Sequence, residues 1–122
     1  MPSRETVDAF VARVLSEDHV GAIRDWYHAD AWMQENQAEP RGGGREALMA
    51  QEAATLGRAE SVRTELVGGP LIDGDHVAIR WRFTFHFKDG GGLRMEEIAW
   101  QRWAGDKIAE ETFFYDPAQR TR

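Results

Sequence analysis

Two spacings divide the chain. Val7, Phe10, Val11, Val14 and Leu15 recur at the interval of an α-helix. They predict an amphipathic helix from Arg4 to about Glu17, with Ser3 as its N-cap. After a break at SEDH, Val20, Ile23, Trp26 and Tyr27 mark a second, short helix ending near HAD. AWMQEN reads as a short strand, and AEPRGGG as a loop, because Pro and Gly interrupt regular structure. Arg45 to about Ala59 is rich in Ala, Leu, Met, Glu and Gln, all good helix formers, and predicts a third helix.

Beyond this point the period becomes two. Val62, Thr64 and Leu66 alternate, GGP marks a bulge or bend, and IDGDH carries an Asp-Gly hairpin signal. In HVAIRWRFTFHF, Ile79, Trp81, Phe83, Phe85 and Phe87 share one face, while Arg80, Arg82, Thr84, His86 and Lys88 share the other. KDGGG turns the chain into LRMEEIAWQRW, and AGD turns it again into KIAEETFFYD. Helices first and an antiparallel meander afterwards predict an α+β domain, with the helices packed on one sheet. No repeat, linker or low-complexity segment divides residues 1–122, so one domain is expected. A strongly curved sheet under helices leaves a hollow, which the Trp81–Phe87 face would line.

Composition narrows the function. The net charge of −6 argues against a phosphate-binding surface, since nucleic-acid affinity rests on Lys and Arg. It gives no reason to expect an anionic membrane either. The chain has no cysteine, which removes disulfides, thiolate metal sites and cysteine nucleophiles. No charged-then-apolar leader or long apolar run is visible, so a cytoplasmic protein is the expectation. The four histidines fall at scattered positions and match no zinc pattern, so no metal site is expected. RGGGRE lacks the Lys-Ser/Thr of a phosphate loop and reads as a strand-to-helix connection. No cofactor fingerprint is present.

The ordered set YHADAWMQE, EPRGGGREAL, LRMEEIAWQRWAGDKI and EETFFYD resembles the NTF2-like superfamily and, within it, the SnoaL-like proteins, from about residue 5 to 116. The resemblance implies a cystatin-type cone, three N-terminal helices on a strongly curved antiparallel sheet, with a pocket at the wide end. It also implies a homodimer formed through the outer sheet face, which Ile98, Trp100, Arg102 and Arg80 would suit. Fold alone does not fix function, because this superfamily holds isomerases, cyclases, dehydratases, hydrolases and binding modules.

Ketosteroid isomerase, a distant relative on this resemblance, needs a carboxylate base beside a tyrosine and a protonated aspartic acid. With the chain aligned on EPR, Glu35 falls at the base, but Phe10 and Ala99 fall at the two oxyanion donors. Steroid isomerisation by that route is not expected. The alignment also turns Ala99 inward, and with it Met95, Glu97, Gln101 and Trp103, leaving Glu96 outside. Periodicity alone leaves this open, because Ile98 and Trp100 make the opposite face nearly as apolar. In the last strand, Glu111, Phe113 and Tyr115 would face in.

Glu35, Glu97 and Glu111 then become candidate acid/base groups, and Tyr115 a candidate hydrogen-bond donor. Phe10, Trp81, Phe83, Phe85, Gln101, Trp103 and Phe113 become candidate substrate contacts. Crowded carboxylates in a partly dry cavity have raised pKa values, so one can act as acid while another acts as base. Three readings stay open: cofactor-independent chemistry on a small hydrophobic molecule, a non-catalytic module binding a ligand or protein, and carboxylates paired with Gln101, Arg41 or Arg45 that only fix the sheet.

Overall fold

The computed structural model describes residues 1–120. Helix α1 spans Arg4–Leu15 and begins where the Ser3 hydroxyl accepts from the Thr6 N–H, which satisfies one orphan donor of the first turn. Helix α2 spans His19–Trp26 and is capped by Asp18, whose carboxylate accepts from the Gly21 N–H at 3.0 Å. Strand β1 follows at once, Tyr27–Glu35. It is longer than the short AWMQEN strand read from sequence and takes in the YHAD segment as well.

Helix α3, Gly44–Gly57, is reached through a glycine-rich entry. Gly43 and Gly44 have φ of 93° and 75°, left-handed conformations that side chains disfavour. A Cβ on Gly44 would also strike the Ala29 carbonyl. Gly43 and Gly44 are therefore required by this entry to α3, whereas a side chain at Gly42 would meet open space.

Strands β2 (Ala59–Asp73), β3 (His76–Phe87), β4 (Gly92–Ala104) and β5 (Lys107–Phe114) complete a sheet of order β1-β5-β4-β3-β2. The meander β2–β5 is antiparallel, as the alternation predicts. The expectation of a wholly antiparallel sheet needs one correction: β1 adds to β5 in parallel, Glu35 beside Phe113. Alternation reports which face a side chain takes, but not which edge an early strand joins. GGP does produce irregularity, with register shifts on both sides of Gly68.

Three helices thus cover a curved mixed sheet. Val7, Phe10, Val11 and Val14 of α1 meet Ile79, Trp81, Ala99, Trp103 and Ile108 of the sheet in one buried cluster. Phe10 sits at its centre, edge-on to Trp26, Tyr27 and Trp103 at 6.1, 6.2 and 6.0 Å, a favourable arrangement for aromatic quadrupoles. No helix among the described residues is long and apolar enough to cross a membrane.

Candidate functional site

Packing stops short of filling the cone. A cavity of about 420 Å³ remains between α2, α3 and the concave sheet, within the range of small-molecule sites. Trp81, Phe83, Phe85 and Phe87 run along one wall, and Phe10, Phe113, Met33, Leu93 and Met95 add to it.

The paired glutamates of β4 separate as expected. Glu96 faces out and binds Arg82 Nη2 at 2.6 Å, with Arg80 and Arg94 at 3.6 and 3.8 Å. The Arg82 hydrogen bond holds its carboxyl below the ordinary value. Glu97 faces in, opposite Trp81 in the β3–β4 register. It is half-buried, and burial together with the charges of Glu35, Glu111 and Glu52 pushes its pKa up to about 8. Its carboxyl is therefore mostly protonated at neutral pH.

Glu111, 2% exposed, is held differently. Gln101 Nε2 donates to Oε2 at 2.6 Å, and the Tyr27 hydroxyl donates to Oε1 in a short contact. Gln101 is itself fixed, because its Oε1 accepts from Trp103 Nε1 at 2.9 Å. Every bond in this chain runs towards Glu111, which favours its ionised form. Burial opposes this and is the larger effect, leaving the pKa at about 7. Tyr27, wholly enclosed beside this carboxylate, has its phenol raised well above the ordinary value by burial first and by Glu111 second.

Glu35 ends β1. Arg41 returns beside the strand through its N–H to the Met33 carbonyl at 2.6 Å, and its guanidinium meets Glu35 at 2.9 Å. Tyr115 donates to the other Glu35 oxygen at 3.0 Å, and Arg120 lies 3.6 Å away.

Glu35, Glu97, Glu111, Phe10, Trp81, Phe83, Phe85 and Phe113 all line the cavity. Gln101 and Trp103 do not: both are fully buried, and they stand behind Glu111 as its support rather than on the wall. Tyr115 lies just past β5 and off the cavity wall, and reaches the site through Glu35.

Sequence reasoning missed Tyr27, His19 and Glu52. The spacing of Trp26 and Tyr27 predicts both on the second helix, but that helix ends at Trp26 and Tyr27 opens β1. His19, one of the four scattered histidines, is only 7% exposed. Its Nε2 meets Thr64 Oγ1 at 2.9 Å and its Nδ1 lies 3.4 Å from Glu52, while its ring stands edge-on to Phe83. Glu17, at φ 72°, joins this cluster by accepting from the Thr64 backbone N–H at 2.8 Å. No sequence signal ties α2 to β2 across that distance.

A concave aromatic wall facing inward carboxyls, under three helices, defines a cone-fold pocket protein. The family model of the SnoaL-like domain matches residues 7–111, and the chain belongs to that family. Solved structures agree. A candidate SnoaL-like polyketide cyclase from Mesorhizobium loti is 25% identical, with 94% of this chain and 100% of that one covered, at a TM-score of 0.78. A cystatin-fold protein from Novosphingobium aromaticivorans is 23% identical, with 93% and 97% covered, at 0.77. A protein of ketosteroid isomerase-like fold from Catenulispora acidiphila, in complex with trimethylamine, is 21% identical, with 96% and 89% covered, at 0.76. These last two likenesses are of fold. No curated protein matches the chain in sequence.

Proposed function

We propose that the chain is a cofactor-independent acid/base enzyme acting on a small, largely apolar carbonyl or hydroxy compound. The observation that carries this reading is the unlike state of two cavity carboxyls. Glu97 is held protonated by burial and by neighbouring charge, while Glu35 is the partner of Arg41.

A proton donor and an arginine-paired carboxylate in one aromatic-lined cavity suit proton abstraction beside a carbonyl. Glu35 takes the proton from the carbon. Glu97 gives its own proton, or a strong hydrogen bond, to the oxygen where charge develops. Tyr115 and Arg41 orient Glu35, and the Trp103–Gln101 chain fixes Glu111; burial first, then the neighbouring Glu35 and Glu111, sustain the Glu97 proton. Enolisation, dehydration and aldol-type ring closure all begin with this step.

Catalysed exchange is the direct test. With 2-tetralone in deuterium oxide, the chain is expected to accelerate loss of the α-proton NMR signals. Glu35→Gln is expected to abolish that acceleration while the circular dichroism spectrum stays unchanged. Equal exchange by the variant removes Glu35 from the role of base.

A second reading, a non-catalytic ligand-binding module, draws on the engagement of both Glu35 oxygens by Arg41 and Tyr115, which leaves the carboxylate committed within the protein. Ligand recovered unchanged after binding, with no exchange of any probe, favours it. A homodimer belongs to both readings. Ile98, Trp100 and Phe114 are 45%, 46% and 45% exposed on the outer sheet face, an apolar patch suited to a second copy.

A further inference from the structure

Nearly all the arginines among the described residues have a carboxylate neighbour. Arg4, Arg13, Arg24, Arg41, Arg45, Arg63, Arg80, Arg82, Arg94, Arg102 and Arg120 each have a carboxylate within 3.9 Å. Among the described residues, Arg58 is the exception. Acidic residues outnumber basic ones, 21 to 15, so an arginine left without a carboxylate is against the odds of composition.

Its position gives the absence meaning. Arg58 caps the C-terminal end of α3 and lines the cavity. It also lines a neighbouring recess with Phe87, Lys88 and Asp89. The Lys88 N–H donates to the Arg58 carbonyl at 3.1 Å, fastening the end of α3 to the end of β3. The Arg58 side chain is exposed. One cation without an ion pair among the described residues therefore stands where the aromatic strip reaches the surface. From there Phe87 stacks on Phe85 at 5.9 Å, Phe85 neighbours Phe83 at 6.5 Å, and Phe83 neighbours Trp81 at 5.9 Å, opposite Glu97. Trp81 and Phe87 are separated by about 20 Å of strand.

We propose that the ligand of this cavity is an amphipathic organic anion. Its carboxylate or phosphate is held at the mouth by Arg58, and its apolar body lies along Phe87, Phe85 and Phe83. Its uncharged oxygen-bearing end reaches Glu97. A planar guanidinium matches an oxyanion by paired hydrogen bonds. Such a ligand enters the cone in one direction only, because its charged head would lose hydration among the phenyl rings. The inference rests on the cavity being a ligand site but not on Glu35 or Glu97 performing chemistry.

Isothermal titration with four matched probes tests it: 4-phenylbutyrate, 4-phenylbutyl phosphate, 4-phenylbutan-1-ol and 4-phenylbutylamine. At least one anion is expected to bind about tenfold more tightly than the alcohol, and the better of the two anions identifies the head group. Arg58→Gln is expected to erase that preference and leave alcohol affinity unchanged. Arg63→Gln, on exposed β2 beside Glu65, is expected to retain the preference. Alcohol and anion binding equally, or amine binding best, overturns the anionic ligand while the cavity remains a binding site. Failure of all four probes overturns both.

Discussion

The Tyr27 hydroxyl donates to the Glu111 carboxyl across 84 positions of sequence, joining the first strand to the last. Gln101 occupies the other Glu111 oxygen and takes its own orientation from Trp103. Four side chains therefore fix the direction of every hydrogen bond around one buried acid.

Replacing Tyr27 with Phe removes a donor and leaves a buried acceptor short. The expected cost is about 1–3 kcal/mol of stability, and Glu111 is expected to titrate above its value of about 7, since the lost bond favoured ionisation. Glu111→Gln conflicts with the network in another way. With its oxygen accepting from Gln101 Nε2, its amide donates to the Tyr27 oxygen, and the buried Tyr27 proton loses its acceptor. A similar loss is expected, read in both cases by urea denaturation.

Stability is expected to fall as pH rises through neutrality. Glu97 and Glu111 have folded pKa values of about 8 and about 7, against an ordinary glutamate value of 4.5. Above that ordinary value the unfolded chain releases these protons first, so the folded state holds more of them and stability declines with pH. Below it the contribution is fully present. Each group adds a slope of at most about 1.4 kcal/mol per pH unit. Glu97→Gln is expected to flatten the decline, most visibly between pH 7 and 8, in thermal melts across pH 5–9. A melting temperature that rises over this range contradicts the raised values.

If Glu97 donates the proton in the proposed reaction, its ionisation sets the alkaline limb of activity. Turnover of a carbonyl probe is expected to fall as pH passes about 8, where the acid is lost. Glu97→Gln, which donates a hydrogen bond but no proton, is expected to lose most of the rate and the limb with it. A rate that stays flat to pH 10 in the unmodified protein assigns Glu97 no proton transfer.

Much of this site was legible before any coordinates. Alternation in HVAIRWRFTFHF gave the aromatic wall, because residues two apart in a strand share a face. The LRMEEIAWQRW strand was harder. Glu96 and Glu97 each have apolar neighbours on their own side, and only the family resemblance at Ala99 chose between them. What escaped was long-range. The parallel docking of β1 on β5, which brings Tyr27 to Glu111, has no local signature. Arg58 looks like an ordinary helix-end arginine until the carboxylates near every other described arginine are known. Gln101 and Trp103 took the right face but the wrong depth, since alternation reports direction and not whether another side chain stands in front.

The outer face makes a separate prediction. Trp100 stacks on His76 at 5.1 Å and stays 46% exposed. If that face joins two copies, Trp100→Glu is expected to halve the mass found by light scattering and leave the circular dichroism spectrum intact. An unmodified protein that is already monomeric at high concentration rules that dimer out.

Direct titration of the glutamate carboxyls by carbon-13 NMR, with Glu35, Glu97 and Glu111 assigned through single Gln variants, decides whether the cavity is poised for proton transfer. Glu97 is expected to titrate near 8 and Glu111 near 7. If instead all three titrate near the free carboxylate value of about 4.3, the cavity holds no neutral acid at physiological pH, and the acid/base reading fails.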